Sequence, residues 1–266
     1  MGNRLQGKVA LISGAGSVGP GWGNGRAIAY RFAQEGAKVF AVDLKQEALT
    51  ETIARINEVG GTVATHLADV TQSDQVNAMV DACLAEFGRI DILVNNVGGS
   101  RKGGPVELSE ADWDAQIDYN LKSVYLGCKA VLPHMIEQNG GAIVNLSSTS
   151  GTRWTGSAQV AYSSAKAGII QLSRVVALQH AKQNIRCNTV VPGQMHTPMV
   201  EVRLAGQRSG GDVEHLLAQR QARIPLPFMG DGLDTANAVL FLASDEARFI
   251  TATEIAVDGG MSARCD

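Results

Sequence analysis

Tyr162 and Lys166 are the two residues of this sequence whose types and spacing best suit proton transfer. Residues four apart on a helix lie on the same side, so the Lys166 ammonium can lie beside the Tyr162 phenol. A free phenol has a pKa of about 10, and a nearby positive charge stabilises the phenolate and lowers that pKa. The phenol can then act as a general acid or base near neutral pH. The spacing alone is weak evidence, since most such pairs are exposed residues of an amphipathic helix.

Glycines that follow the first apolar run could bind a phosphate group. Ser13-Gly-Ala-Gly-Ser17 leaves that run, and Gly23-Asn-Gly25 opens the next helical segment. Glycines permit a tight turn, and a helix N-terminus offers free N–H groups to an anion. Asp43 ends the second apolar run, where a carboxylate can bind the adenosine ribose hydroxyls and repel a 2′-phosphate. The pattern favours NAD over NADP, although Asp43 could instead be only a helix-capping or turn residue.

Short apolar runs alternate with helical patterns along the whole chain. Strands are predicted at residues 9–13, 38–42, 62–67, 90–94, 142–146, 185–191 and 254–257, and helices at 26–35, 46–59, 73–87, 110–137, 161–182 and 234–242. Ser73 is expected to cap its helix. Continuously apolar strands are typical of a parallel sheet covered on both faces. The sequence therefore predicts a doubly wound parallel sheet, a Rossmann fold of three α/β/α layers, formed by one domain over residues 1–266. An irregular stretch at about 194–232 is expected to cover a ligand site.

Composition narrows the functional classes. A net charge of −3 over 266 residues does not suggest nucleic-acid binding. The four cysteines are far apart in the sequence, at Cys83, Cys128, Cys187 and Cys265. We therefore expect no metal site, and we expect the protein to reside in a reducing compartment. No apolar stretch is long enough to span a membrane. The polar first residues lack a signal segment, so a cytoplasmic location is expected.

The motifs of this chain resemble those of the short-chain dehydrogenase/reductase family from Lys8 to about Gly260. Tyr162-Ser-Ser-Ala-Lys166 is similar to the family's Tyr-x-x-x-Lys signature, and Ser148 with Gly151 fits its Ser-x-x-Gly. The other segments that carry the resemblance are Ser13-Gly-Ala-Gly-Ser17, Gly23-Asn-Gly25, Asp69-Val70, Asn95-Asn-Val-Gly98, Asp118-Tyr-Asn-Leu-Lys-Ser123 and Pro192-Gly-Gln-Met-His-Thr197.

The resemblance implies roles for particular residues. Tyr162 would transfer the proton, Ser148 would donate to the substrate oxygen, and Ser147 is the alternative to Ser148. Asn120 would hold a water of a proton relay, and Lys166 would hydrogen-bond the nicotinamide ribose. The cofactor-binding residues it implies are Gly14, Ser17, Asn24, Gly25, Asp43, Asp69, Val70, Asn96, Gly98, Tyr162, Lys166, Pro192, Gly193, Met195 and Thr197.

The family also suggests a homotetramer. One interface would use the two long helices at 110–137 and 161–182, and the other the last strand near Ile255. Asn95 is expected to be a structural residue at the end of its strand.

The chain departs from the family pattern at two loops. Five extra residues, Val18-Gly-Pro-Gly-Trp22, lengthen the glycine turn and are expected to bulge outward. The segment from Ser148 to Tyr162 is about one residue longer than is common, and Trp154 within it is a pocket wall or a packing residue.

Arginines in the irregular stretch leave a further question open. Arg203, Arg208, Arg220 and Arg223 could recognise an anionic substrate, or they could be a solvated helix face. His196 could contact substrate, although a single loop histidine is more often a bystander.

The sequence thus predicts an NAD(H)-dependent oxidoreductase. It would interconvert a secondary alcohol, polyol, sugar or cyclic diol hydroxyl and its ketone by hydride transfer. The alternatives are an NADP-dependent 3-oxoacyl reductase, which Asp43 disfavours although Lys45 is close, and a non-catalytic NAD-sensing protein on the same fold. The complete set of proton-transfer residues disfavours the sensor, because a sensor does not need them.

Overall fold

A computed structural model describes residues 2–204, 206 and 210–264. Within this part of the chain, one parallel sheet of seven strands has the order β3-β2-β1-β4-β5-β6-β7. The strands are β1 (Val9–Ser13), β2 (Lys38–Asp43), β3 (Thr62–Leu67), β4 (Ile92–Asn95), β5 (Gly141–Leu146), β6 (Ile185–Pro192) and β7 (Glu254–Val257). The longer helices are α1 (Asn24–Gln34), α2 (Gln46–Glu58), α3 (Ser73–Phe87), α4 (Glu110–Ile117), α5 (Ser123–Glu137), α6 (Val160–His180), α7 (Val213–Gln221) and α8 (Gly232–Ala243).

Helices cover both faces of the sheet. Phe32 of α1 and Leu240 of α8 belong to the buried cluster on one face. Met79 of α3, Val131 of α5 and Ile169 of α6 belong to the cluster on the other face. Residues of β1 alternate between the two clusters, so this strand is buried on both sides. The predicted three-layer α/β/α fold is confirmed.

The strand order reverses beside β1, which pairs with β2 on one side and with β4 on the other. The loops that follow β1 and β4 therefore diverge and leave a crevice at the carboxyl ends of the strands. Ligands of open parallel sheets bind at such a point. The candidate site is built there.

Two predictions about the helices need correction. The helix predicted over 110–137 contains a π-helical segment, Asp118–Lys122, between α4 and α5. There the Asn120 amide donates to the carbonyl of Gln116 at 2.8 Å, which interrupts the α-helical ladder. The expected cap by Ser73 is wrong, because α3 begins at that residue and Gln72 occupies the N-cap position without a side-chain bond.

The inserted turn at Val18–Trp22 does not project freely. The buried guanidinium of Arg26 donates through Nη1 to the carbonyls of Gly19 (3.1 Å) and Gly21 (2.6 Å) and to Glu51 Oε2 (2.5 Å). The Arg55 guanidinium lies 4.1 Å from the centroid of the Trp22 ring. The inserted turn is therefore held against α1 and α2, because its backbone carbonyls accept hydrogen bonds from the buried Arg26 guanidinium.

Among the described residues, no helix is long and apolar enough to cross a membrane. The same residues contain no cluster of three or more histidines, cysteines or acids that could hold a metal ion. Cys265 lies outside the described residues.

Candidate active site

A cavity of about 1260 Å³ lies at the carboxyl ends of the strands and runs from the glycine turn to the segment after β6. This volume exceeds the range of about 300–1,000 Å³ typical of a site for one drug-sized ligand. The predicted site residues that line it are Gly14, Ser17, Asn24, Gly25, Asp43, Asp69, Val70, Asn96, Gly98, Ser148, Tyr162, Lys166, Pro192, Gly193, Met195 and Thr197. Of the predicted site residues, Asn120 alone does not line the cavity.

The glycine turn leaves room only for glycine at two of its positions. Gly14 has a φ of +66°, in the left-handed region that favours glycine. A Cβ on Gly25 would lie 1.7 Å from the Gly14 carbonyl oxygen. Asn96 Nδ2 donates to that same oxygen at 2.8 Å and so fixes the turn from the end of β4. The N-terminus of α1 consequently opens into the cavity, as binding of an anion requires.

Asp43 combines the contacts of a turn aspartate with a position on the cavity wall. Its carboxylate accepts from the N–H of Gly16 at 3.0 Å and from the N–H of Leu44 at 2.8 Å. It lines the cavity together with Asp69 and Val70. We call this part the glycine-turn end of the cavity.

Tyr162 and Lys166 enter the cavity from α6. The Lys166 Nζ lies 5.7 Å from the centroid of the Tyr162 ring and donates to the carbonyl of Leu146 at 2.9 Å. Lys166 is only 3% exposed. Burial lowers the pKa of its ammonium to about 7, because a low-dielectric surrounding disfavours the charged form.

Ser147 and Ser148 differ in what they bind. Ser147 Oγ is buried and donates to the backbone carbonyl of Lys166 at 2.7 Å. Both serines line the cavity, but Ser148 Oγ accepts from the N–H of Ser150 at 3.2 Å and has no backbone carbonyl as a partner among the hydrogen bonds of the described residues. Ser147 therefore ties the loop after β5 to α6, which favours Ser148 over Ser147 as the residue that meets a substrate.

Asn120 lies beneath the cavity wall rather than on it. Its side chain donates to the carbonyl of Gly99 at 2.9 Å and accepts from the Gly99 N–H at 3.2 Å. A Cβ on Gly98 would lie 2.8 Å from Asn120 Oδ1 and 2.9 Å from Lys166 Nζ. The π-helical segment thus positions Asn120 behind Gly98, close to the lysine.

The structure adds polar residues that the sequence patterns did not single out. Gln159 Nε2 donates to Ser150 Oγ at 2.7 Å, and Ser150 Oγ lies 3.2 Å from Thr155 Oγ1. Tyr119 also lines the cavity, and burial raises the pKa of its phenol while the charge of Arg101 opposes that rise. Only the position of Tyr119 next to Asn120 could have suggested it.

Several residues left open by the sequence lie away from the cavity. Trp154 is 74% exposed and is not part of the lining. His196 also lies outside it, and its Nε2 is 3.2 Å from Glu201 Oε1. Arg223 also lies outside the lining and donates to the carbonyl of Thr155 at 2.8 Å.

Two of the four arginines of the irregular stretch, Arg203 and Arg220, do line the cavity. Arg208 lies outside the described residues.

Comparison with known proteins agrees with this geometry. Residues 20–262 match a family model described as enoyl-(acyl carrier protein) reductase. A solved structure from Burkholderia xenovorans, assigned to the short-chain dehydrogenases/reductases, is 61% identical, with a TM-score of 0.96 over 99% of this chain and 100% of that one. This chain belongs to the short-chain dehydrogenase/reductase family. The predicted family membership is confirmed.

Two more relatives of this short-chain dehydrogenase/reductase span nearly its whole length. A 3-oxoacyl-(acyl-carrier-protein) reductase, FabG of Thermotoga maritima, is 40% identical over 97% of this chain and 99% of its own. The crystal structure of levodione reductase is 36% identical, with a TM-score of 0.91 over 98% of this chain and 99% of that one. The relatives are oxidoreductases that act on alcohol or ketone groups, so the coarse prediction of an oxidoreductase is confirmed.

Proteins of this family bind a nicotinamide cofactor, and the cavity of this short-chain dehydrogenase/reductase fits one. Asn24 Oδ1, at the first residue of α1, is buried and has no hydrogen-bond partner among the described residues. A Cβ on Gly193 would lie 2.5 Å from the Cβ of Asp258, so the chain passes close to β7 as it enters the cavity wall. The glycine turn would hold the pyrophosphate, and Gly98, Gly193 and Lys166 would surround the nicotinamide end.

Proposed function

We propose that this chain is an NAD(H)-dependent oxidoreductase that interconverts a secondary alcohol and its ketone. The observation that carries the proposal is that Ser148, Tyr162 and Lys166 line the same cavity as the glycine turn and Asp43. A proton-transfer group, a hydrogen-bond donor and a nucleotide-binding turn therefore face one space.

The side chains suit the charge that develops during this reaction. Reduction of a ketone places negative charge on the carbonyl oxygen, which hydrogen-bond donors then stabilise. Ser148 would donate to this oxygen, and Tyr162 would give it the proton. Lys166 would place a positive charge beside the phenol. Because the pKa of Lys166 is about 7, neighbouring charges decide whether its side chain is protonated near neutral pH. A bound nicotinamide would supply or accept the hydride.

A panel of substrates tests this function. The purified enzyme is incubated with NAD+ and secondary alcohols, polyols, sugars, hydroxy acids and cyclic diols, and NADH formation is recorded at 340 nm. We expect turnover of at least one class. Binding of NADH without turnover of any panel member would contradict the proposal and favour the non-catalytic sensor.

Preference for NAD over NADP is the finer part of the proposal, and Asp43 supports it. A 2′-phosphate at the glycine-turn end would approach the Asp43 carboxylate, and like charges brought together cost several kcal/mol. Asp43→Ser is expected to lower the NAD+/NADP+ ratio of kcat/KM by about tenfold or more. Glu58→Gln, an exposed acid at the far end of α2, is the matched control and should keep the ratio. A wild-type preference for NADP+ would contradict the assignment.

A 3-oxoacyl reductase is the second candidate, because the Thermotoga maritima relative carries that name and Lys45 also lines the glycine-turn end. It predicts reduction of an acetoacetyl thioester with NADPH. Faster turnover of this thioester than of any small alcohol or ketone would favour the second candidate over the first.

We also propose a homotetramer. Tyr125 and Ile136 of α5 and Val175 and Leu178 of α6 are apolar side chains exposed on the two helices that would form a four-helix interface. Exposed apolar patches of this kind mark interaction surfaces. Light scattering should give four times the mass of the chain, and a monomer at micromolar concentration would contradict the proposal.

The described part of the segment at about 194–232 is proposed to cover the substrate. Val200, Leu204, Val213 and Leu216 pack together in a small cluster of their own, apart from the two main clusters. Met195, Thr197 and Arg203 of this segment face the cavity. The extent of the single domain over residues 1–266 and the cytoplasmic location stay predictions.

A further inference from the structure

The two ends of the cavity differ in charge. The glycine-turn end holds Asp43, Glu47, Glu51 and Asp69, balanced in part by Lys45 and Arg26. Another part of the lining holds Arg101, Arg203 and Arg220 together with Tyr119, on whose phenol the charges of Arg101 and Arg203 both act. We call this part the arginine end.

The three guanidinium groups of the arginine end have different surroundings. Arg101 forms an ion pair with Asp112, and Arg220, only 7% exposed, donates through Nη2 to the carbonyl of Met195 at 3.0 Å. Arg203 has neither a hydrogen bond nor an ion pair with any described residue. Among the described residues, no contact of Arg203 would have to break for a ligand to reach its guanidinium.

Arg203 lines the same cavity as Tyr162. Its charge acts on the phenol of Tyr119, together with that of Arg101. The Tyr119 phenol interacts electrostatically with that of Tyr162 as well. A substrate whose hydroxyl meets Tyr162 would thus have its remaining atoms within the field of these guanidinium groups. Positive charge of this kind in a cavity is best compensated by a carboxylate, because a guanidinium can bind it through two parallel hydrogen bonds.

We infer that the substrate carries a carboxylate that Arg203 binds, so that the enzyme oxidises a hydroxy acid and reduces the corresponding oxo acid. This inference rests on the proposed function and specifies its substrate class. In the oxidation, the carbinol C–H transfers its hydride to NAD+, and the O–H proton passes through Tyr162 to solvent. A ketone, NADH and one proton are formed, and the carboxylate is unchanged. Arg220 adds positive potential without needing to touch the ligand.

Matched substrate pairs test this inference. Hydroxy acids in which two to five carbons separate the carbinol from the carboxylate are compared with their methyl esters, which keep the carbinol and lose the charge. We expect kcat/KM to be about 10–100-fold higher for the best acid than for its ester, the size of a charge-assisted hydrogen bond. The chain length with the highest ratio would measure the reach from Tyr162 to Arg203.

Variants assign the preference to one residue. Arg203→Gln should remove most of the preference through KM, and Arg203→Lys should retain part of it. Arg248→Gln, an exposed arginine outside the cavity lining, is the control and should leave the preference unchanged. Calorimetry of dicarboxylate binding to the NADH-saturated enzyme gives a readout without turnover, and Arg203→Gln should weaken this binding about tenfold or more.

The outcomes separate the two claims. Carboxylate binding that depends on Arg203, without oxidation of any alcohol, would support the anion site and overturn the proposed function. Oxidation of acids and esters with kcat/KM values within threefold of each other would overturn the hydroxy-acid inference and leave the proposed function standing. A preference for acids that survives Arg203→Gln would overturn the assignment to Arg203.

Discussion

Tyr162→Phe is expected to lower kcat for alcohol oxidation by about 10²–10⁴-fold, the contribution typical of a positioned general acid or base. The substitution removes one oxygen and keeps the ring that faces Lys166 at 5.7 Å. Burial and packing therefore change little, and NADH binding should remain measurable. Stopped-flow or steady-state absorbance at 340 nm gives the rate.

Tyr30→Phe provides the matched control for this loss. Tyr30 lies on α1 outside the cavity lining, and its hydroxyl accepts from Gln34 Nε2 at 2.9 Å. Loss of the Tyr30 hydroxyl should leave kcat within about twofold of the wild-type value, since substitutions of this kind away from the site have small effects. A Tyr162→Phe enzyme that keeps a tenth or more of the wild-type kcat would show that another group moves the proton.

Lys166→Met is expected to lower activity and to raise stability. Activity should fall by about 10²-fold or more, because the phenol loses its neighbouring positive charge. The cofactor-free protein should nevertheless gain about 2–4 kcal/mol in its free energy of unfolding at pH 6–7, since methionine removes a buried charge and fills a similar volume. The hydrogen bond from Lys166 to Leu146 is lost, and this partly offsets the gain. Urea denaturation of both proteins measures the difference.

The pH dependence of that gain has a definite sign. Burial lowers the Lys166 pKa to about 7 in the folded protein, whereas an unfolded lysine titrates near 10.4. Between about pH 7 and pH 10 the unfolded chain binds a proton that folded Lys166 does not, so this group makes the wild type more stable as the pH rises. Below pH 7 the full cost of the buried charge is present. The advantage of the methionine variant should therefore shrink steadily from pH 7 to pH 10, and an advantage that is constant over this range would contradict it.

Local patterns made much of the site predictable. The glycine turn and the Tyr162–Lys166 pair each depend on a few neighbouring residues, and the parallel sheet brings both to the same edge. The sequence therefore predicted the fold, and all but one of the predicted site residues line the cavity. The positions of Asn95 and Asn96 also differ, because Asn95 is buried against Asn145 while Asn96 lines the cavity.

Features that depend on contacts between distant segments were not predictable. The π-helical segment arises where the Asn120 side chain meets Gly99 of another loop, which no periodicity shows. The inserted turn is held by Arg26, whose buried guanidinium reaches α2. The sequence also indicated several arginines that could bind an anionic substrate, without distinguishing among them. Only the folded chain shows that Arg203 and Arg220 line the cavity while Arg223 does not.

The π-helical segment at Asp118–Lys122 also limits how this chain can change in length. A π turn accommodates one residue more than an α turn, as if a single residue had been inserted into a regular helix. Deletion of one residue between Gln116 and Ser123 would let α4 and α5 merge into one uninterrupted helix of better hydrogen-bond geometry. That straighter helix would keep the faces of α4 and α5 in their present relation, because the π turn already absorbs the extra residue. It would lose the local bulge that carries the Asn120 amide to the carbonyl of Gly99. Among descendants of this gene, the more regular helix would therefore be the defective one, and selection would preserve an irregularity that helix stability alone would remove.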